Sequence, residues 1–97
     1  MESAKVIKTA FSDLEHEEIS AQLDKNIGII LGHLRRAEDL SIAELANFTG
    51  TAEWEIARIE AGKQSPSLAY LMRVANKFSI DAGELISAAK VLVNDKE

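Results

Sequence analysis

Apolar residues recur three and four positions apart along most of the chain, the spacing of a buried helical stripe, and no stretch sustains the alternation of a half-buried strand. Ser12 followed by Glu15 has the capping-box pattern. It opens an acidic segment with Leu14, Ile19 and Leu23 loosely on one side, predicting a helix over about 13–24. A second helix, over about 26–38, carries Ile27, Ile30, Leu31 and Leu34; the two are either continuous or broken near Asn26 and Gly28. Ser41 with Glu44 repeats the box ahead of Leu45, Ala46 and Phe48, and this short helix stops at Gly50, where a positive φ is cheap. Ile56 and Ile59 mark one side of a helix over about 52–60 that ends at Ala61 and Gly62. Past the loop 63–66, a helix starting at Pro66 or Ser67 has Leu68, Leu71, Met72, Ala75 and Phe78 as its expected inner stripe. Asp81 with Glu84 is a third box, opening a last helix with Leu85, Ile86, Ala89, Leu92 and Val93 on one face. Residues 1–11 read either as a short strand around 5–9 or as a disordered arm.

Composition narrows this picture. Ninety-seven residues make one domain with a single core. The chain has one proline and five glycines, in keeping with an all-α fold, and no cysteine, which fits a reducing compartment. His16 and His33 lack the spacing of metal ligands, so no metal and no cofactor are expected. No apolar run reaches the ~18 residues of a membrane span, and the N-terminus lacks a signal-peptide core; the expected location is the cytoplasm. The net charge of −5 is uneven. Residues 1–25 set Lys5, Lys8 and Lys25 against Glu2, Asp13, Glu15, Glu17, Glu18 and Asp24, a net of −3. The rest is mildly acidic, so affinity for a polyanion would have to come from a local basic patch.

Two short helices joined by a turn containing glycine are what a helix-turn-helix needs. Here 42–49 and 52–60 form the pair, with small Ala46 at the crossing and Gly50 in the turn. From Ile27 to Ile86 the chain resembles the Xre family, the lambda-repressor/Cro type of helix-turn-helix protein. The resemblance lies in Ile27-Gly28, Leu31, Leu34-Arg35, Leu40-Ser41, Glu44-Leu45-Ala46, Thr49-Gly50, Ile56, Ile59-Glu60, Gly62-Lys63, Pro66-Ser67-Leu68, Leu71, Ala75 and Glu84-Leu85. It implies an all-α, lambda-repressor-like five-helix domain over 26–97, to which 1–25 adds an N-terminal helical extension. It also implies a third helix that enters the major groove of double-stranded DNA, in a homodimer binding half-sites about 34 Å apart. A family-like ion pair between Arg35 and Glu60 would tie helix one to the end of the recognition helix.

The same resemblance places base reading at Glu53, Trp54 and Arg58, and phosphate contacts at Lys63 and Gln64. The residues themselves leave alternatives open. Glu53 accepts from a cytosine amino group, or simply favours the helix dipole. Trp54 faces DNA or a protein partner, or is partly buried packing. Arg58 grips guanine with two hydrogen bonds, or is a solvated side chain. Arg36 and Arg73 would extend the basic patch, while Ser41 serves as N-cap or phosphate contact. Ile42, Glu53 and Glu55 depart from the family, which favours glutamine at the first and Gln, Arg, Ser or Thr at the start of the third helix. Ile29, Ile30 and Gly32 make helix one apolar nearly all round, so a cover is expected from the 13–24 helix or from a second subunit. Gly28 and Gly32, four apart, permit close helix approach.

The sequence thus points to a sequence-specific transcriptional regulator, a repressor acting on operator DNA. The alternative is an antitoxin-like or other protein-binding domain on the same fold. No nucleophile–base set, phosphate-cradling loop or metal cluster suggests an enzyme.

Overall fold

The structure, a computed structural model, describes the backbone of residues 13–95 and the side chains of residues 20–90. The arm at 1–11, the Ser12–Glu15 cap, and the side chains of Leu14, Ile19, Leu92 and Val93 lie outside the described residues. Five helices follow in order: α1 Asp13–Ala37, α2 Ile42–Thr49, α3 Glu53–Glu60, α4 Leu68–Lys77 and α5 Ala82–Asp95. Helix α1 packs along α5 and α3, and α4 closes the domain against α2 and α5.

The two expected N-terminal helices are one 25-residue helix. Asn26 and Gly28, which look like a break, are packing features inside it. Asn26 is 2% exposed; its amide donates to the Ala89 carbonyl at 3.2 Å and its oxygen accepts from Gln22 at 3.0 Å. A buried polar group satisfied at both ends costs little, and it pins α1 to α5. Gly28 faces the end of α3, where an added Cβ would run into the Ile59 carbonyl oxygen and lie 3.0 Å from that of Glu60. Continuity also corrects an expectation. Residues 13–24 cannot cover the outer face of 26–38, because the two lie end to end on one axis. Ile29 is accordingly exposed, while Leu23 and Ile30 pack against the core.

Leu31, Leu45, Ile56, Ile59 and Val74 are fully enclosed at the centre. Helix α4 is rotated from the sequence expectation: Tyr70, Leu71, Val74 and Ala75 face inward, and Leu68 and Met72 are exposed. Spacing alone allowed both stripes, since Leu71 and Ala75 belong to each. Phe48 is likewise exposed on α2, with the Lys77 ammonium 3.9 Å from its ring centroid.

Caps set the helix ends. Ser41 and Glu44 form the complete reciprocal box, at 3.0 and 2.9 Å. Asp81 caps α5 through the N–H of Gly83 at 2.9 Å rather than that of Glu84. Helix α3 ends in a Schellman motif, with Gly62 at φ 74°, its N–H on the Ile59 carbonyl and the Lys63 N–H on that of Arg58.

Gly28→Ala should therefore destabilise the domain, since α3 must shift to admit a methyl group. A loss of about 1–3 kcal/mol is expected, read as a drop in melting temperature of about 4–8 °C per kcal/mol. Gly83→Ala is the control. Its Cβ makes only an ordinary contact with Asp81, and the substitution should be neutral or stabilising by about 0.4–1 kcal/mol. Equal melting curves for the two variants would remove the close-approach role of Gly28.

Candidate nucleic-acid interface

The orientation of α3 follows from its sequence. Ile56 and Ile59 are 0% and 1% exposed, so at 100° per residue Glu53, Trp54, Ala57 and Arg58 turn outward. Gly50, in the left-handed conformation at φ 70°, ends α2 with its N–H on the Ala46 carbonyl and makes the turn into α3. Ala46 is partly buried against the core. No side chain caps the start of α3 at Ala52, and Glu53 and Glu55 in its first turn meet the positive end of the helix dipole instead.

The far end of α3 is seated on α1. Arg35 donates Nε–H to Glu60 Oε2 at 2.8 Å, one Nη2–H to Oε1 at 2.9 Å, and one Nη1–H to the Leu40 carbonyl at 2.7 Å. The two side chains are only 12% and 10% exposed. The hydrogen bond to Glu60 raises the Arg35 pKa further, so the guanidinium keeps its charge. The two glycines of α1 flank this clamp. Gly28 admits the α3 terminus, and Gly32 leaves space beside Glu60 Oε1 and the Arg36 guanidinium. Close approach thus occurs within the chain.

Beyond Gly62, whose missing Cβ faces Lys25 of α1, the loop turns back over α3. Ser65 donates to Asp24 at 2.6 Å, fixing the far side of the loop to α1 as well. Between these anchors Gln64 reaches two residues of α3, donating to Glu55 Oε2 at 3.1 Å and accepting from Arg58 Nε at 3.2 Å. Arg58 also reaches the Lys63 carbonyl at 3.4 Å, and the Lys63 side chain points to solvent.

The expected site residues are therefore placed as follows. Glu53, Trp54 and Arg58 share the open face of α3, with Trp54 64% exposed. Lys63 and Gln64 adjoin it from the loop, and Arg36 is exposed in the last turn of α1. Ser41 is exposed, with its hydroxyl engaged in the α2 cap. Arg73 donates to the Thr49 carbonyl at 3.3 Å, placing a cation at the negative end of α2. Sequence reading missed the Glu55–Gln64 contact, because nine positions and a loop separate the partners. Among the described residues no His, Asp or Glu cluster is arranged to hold a metal ion, and no helix is long and apolar enough to cross a membrane.

Tyr70 lies beside the clamp. Burial holds its phenol up at about 12, helped by the Glu60 charge and opposed by Arg35. Its hydroxyl is buried and has no hydrogen-bond partner among the described residues.

Comparison with known proteins gives a consistent result. The model of the helix-turn-helix family matches residues 31–85. No curated protein matches the chain. Among solved structures, the chain is similar to the clp gene regulator ClgR of Corynebacterium glutamicum, with a TM-score of 0.69 and 18% identity over 76% of this chain and 79% of that one. It is similar to the restriction-modification controller protein C.AhdI of Aeromonas hydrophila, with a TM-score of 0.60 and 29% identity over 64% of this chain and 94% of that one. An HTH_3 family transcriptional regulator of Vibrio cholerae gives a TM-score of 0.64 at 24% identity, over 75% of this chain and 42% of that one.

Tyr70→Phe should leave stability near neutral pH unchanged or raised by up to about 1–3 kcal/mol, since it removes a buried hydroxyl without a partner. The raised phenol pKa favours the neutral form in the fold. That contribution is complete below the ordinary value of 10.0 and is lost as pH rises from there through about 12. Alkaline denaturation of the wild type should therefore steepen in that window, and the variant should lack the extra slope. A phenolate absorbance titration near 10 for this single tyrosine, in the folded protein, would refute the assignment.

Proposed function

The chain belongs to the helix-turn-helix family, of the Xre or lambda-repressor-like type, and on that premise we propose that it is a sequence-specific DNA-binding transcriptional regulator. The observation that carries this reading is the two-sided character of α3. One face is locked into the core by Ile56 and Ile59 and clamped by Arg35–Glu60, while Trp54 and Arg58 stand open on the other. A helix held that rigidly, with aromatic and guanidinium groups outward, suits insertion into a major groove. Arg58 reads guanine through its two terminal nitrogens, Trp54 packs on a thymine methyl or sugar, and Glu53 accepts from a cytosine amino group. Lys63 and Arg36 hold phosphates on either side.

In this reading the protein acts in the cytoplasm as a repressor, excluding polymerase by occupying operator DNA as a homodimer. Leu68, Met72 and Ile86, exposed on α4 and α5, supply apolar surface for the second copy. A second reading takes support from the exposed Trp54 beside Glu53: the same face would hold a basic partner protein, as in an antitoxin.

Selection from random duplexes at low salt tests the choice. The regulator reading expects an enriched, two-fold symmetric sequence, to which Arg58→Ala binds about 10–100-fold more weakly with relaxed preference at one base pair. Recovery of no sequence, together with co-purification of a small basic protein, would favour the second reading. Met72→Glu should shift the sedimenting species from dimer to monomer and weaken operator binding; an unchanged dimer would remove α4 from the interface.

A further inference from the structure

We infer that Gln64 is a positioning residue for DNA sequence recognition: its side-chain amide, held by Glu55, fixes the Arg58 guanidinium in its base-reading pose. The inference rests on the base-reading role proposed above for Arg58. It assigns Gln64 a different task from the phosphate contact that its position in the family implies.

The geometry is that of a strut. Gln64 comes from a loop fastened to α1 on both sides, by Gly62 against Lys25 and by Ser65 on Asp24. A second tie, from the Lys63 N–H to the Arg58 carbonyl at 2.9 Å, fastens the loop to α3 itself. The amide can satisfy both neighbours in one orientation only. Its NH2 donates to Glu55 Oε2, so its oxygen is the group that meets Arg58 Nε. Turned over, it would set an NH2 group against the guanidinium and an oxygen against the carboxylate, two repulsive contacts. Glu55 therefore orients Gln64, and Gln64 orients Arg58.

Two consequences bear on recognition. Glu55 and Arg58 stand three residues apart on α3, the spacing at which opposite charges pair directly and neutralise one another. With Gln64 between them, no direct ion pair forms, and Glu55 is drawn toward the loop. Arg58 in turn spends Nε on Gln64 and one Nη2 proton on the Lys63 carbonyl. Nη1 makes no hydrogen bond among the described residues, which leaves the terminal edge of the fork for the O6 and N7 of a guanine. A flexible arginine loses side-chain entropy when it binds; one already held loses less. This arrangement lets an acidic recognition helix carry a usable arginine.

The test is a thermodynamic cycle on the selected operator and on a version changed at the base pair read by Arg58. Gln64→Ala should lower discrimination between the two by about 10-fold, with an unchanged salt slope and melting temperature. In the Arg58→Ala background it should do nothing further. Glu55→Ala separates the readings most sharply. Removing an acid beside DNA should tighten binding to all sequences, yet the strut requires it to lose discrimination at that same base pair. A uniform loss of affinity from Gln64→Ala in both backgrounds, with a shallower salt slope, would make it a phosphate contact and overturn the inference. If the wild type selects no sequence, the regulator reading fails instead. The strut is then read without DNA, from the Arg58 Nε–H signal in NMR. A dispersed, slowly exchanging signal that collapses in both Gln64→Ala and Glu55→Ala supports it, and a signal indifferent to either rejects it.

Discussion

The seating of the α3 terminus on α1 is the constraint from which the rest of the molecule follows. Two features have to coincide there. The backbone carbonyls of Ile59 and Glu60 must come within contact of α1, which only a residue without a side chain at position 28 permits. The Glu60 carboxylate must then find a partner in a half-buried corner, and the Arg35 fork meets both of its oxygens while also holding the Leu40 carbonyl. A pair of this kind gains little net energy over apolar packing, because both charges are partly desolvated. Its use is directional. The fork accepts its partner in one plane, so the rotation of α3 about its own axis is set at the end as well as by the buried isoleucines in the middle.

Once that rotation is set, the exposed face of α3 is determined residue by residue, and the character of the surface is a matter of which groups fall on it. The mixture is one carboxylate, one tryptophan and one arginine, with a second carboxylate, Glu55, half-buried at the edge toward the loop. The carboxylates suit the helix itself, since they meet its positive end, but they oppose a phosphate backbone. The chain reconciles these demands through its loop. Anchoring 62–65 to α1 brings an amide across α3, so the acidic and basic groups are separated by a neutral spacer rather than cancelling.

Much of this was legible in the sequence where the deciding interaction is local. The Ser41–Glu44 box, the turn at Gly50, the end of α3 at Gly62 and the inward pair Ile56 and Ile59 each depend on residues within a turn of one another. Arg35 with Glu60 was legible only through the family resemblance, since 25 positions separate them. Alternatives stayed open, or the wrong stripe was expected, where distant packing decides. Asn26 and Gly28 carry the local signature of a break, and it is their contacts with α5 and α3 that place them inside a continuous helix. On α4, Leu68 and Met72 are as apolar as the buried residues, so composition alone does not choose between their stripe and the one containing Tyr70 and Val74. The tie from Glu55 through Gln64 to Arg58 had no local signature at all.

The continuity of α1 has a mechanical consequence. A helix without a proline or an interrupted hydrogen-bond ladder bends only gently, and the buried Asn26 side chain braces this one at its middle. Ser20 stands about 22 Å along the axis from Arg35, at 1.5 Å per residue. The two positions belong to one stiff rod, and the rod also carries Asp24 and Lys25, on which the α3–α4 loop rests. Whatever tilts the early turns of α1 tilts the clamp and the loop anchors together, and with them the exposed face of α3. The N-terminal turns are therefore a lever on that face rather than an appendage beside it.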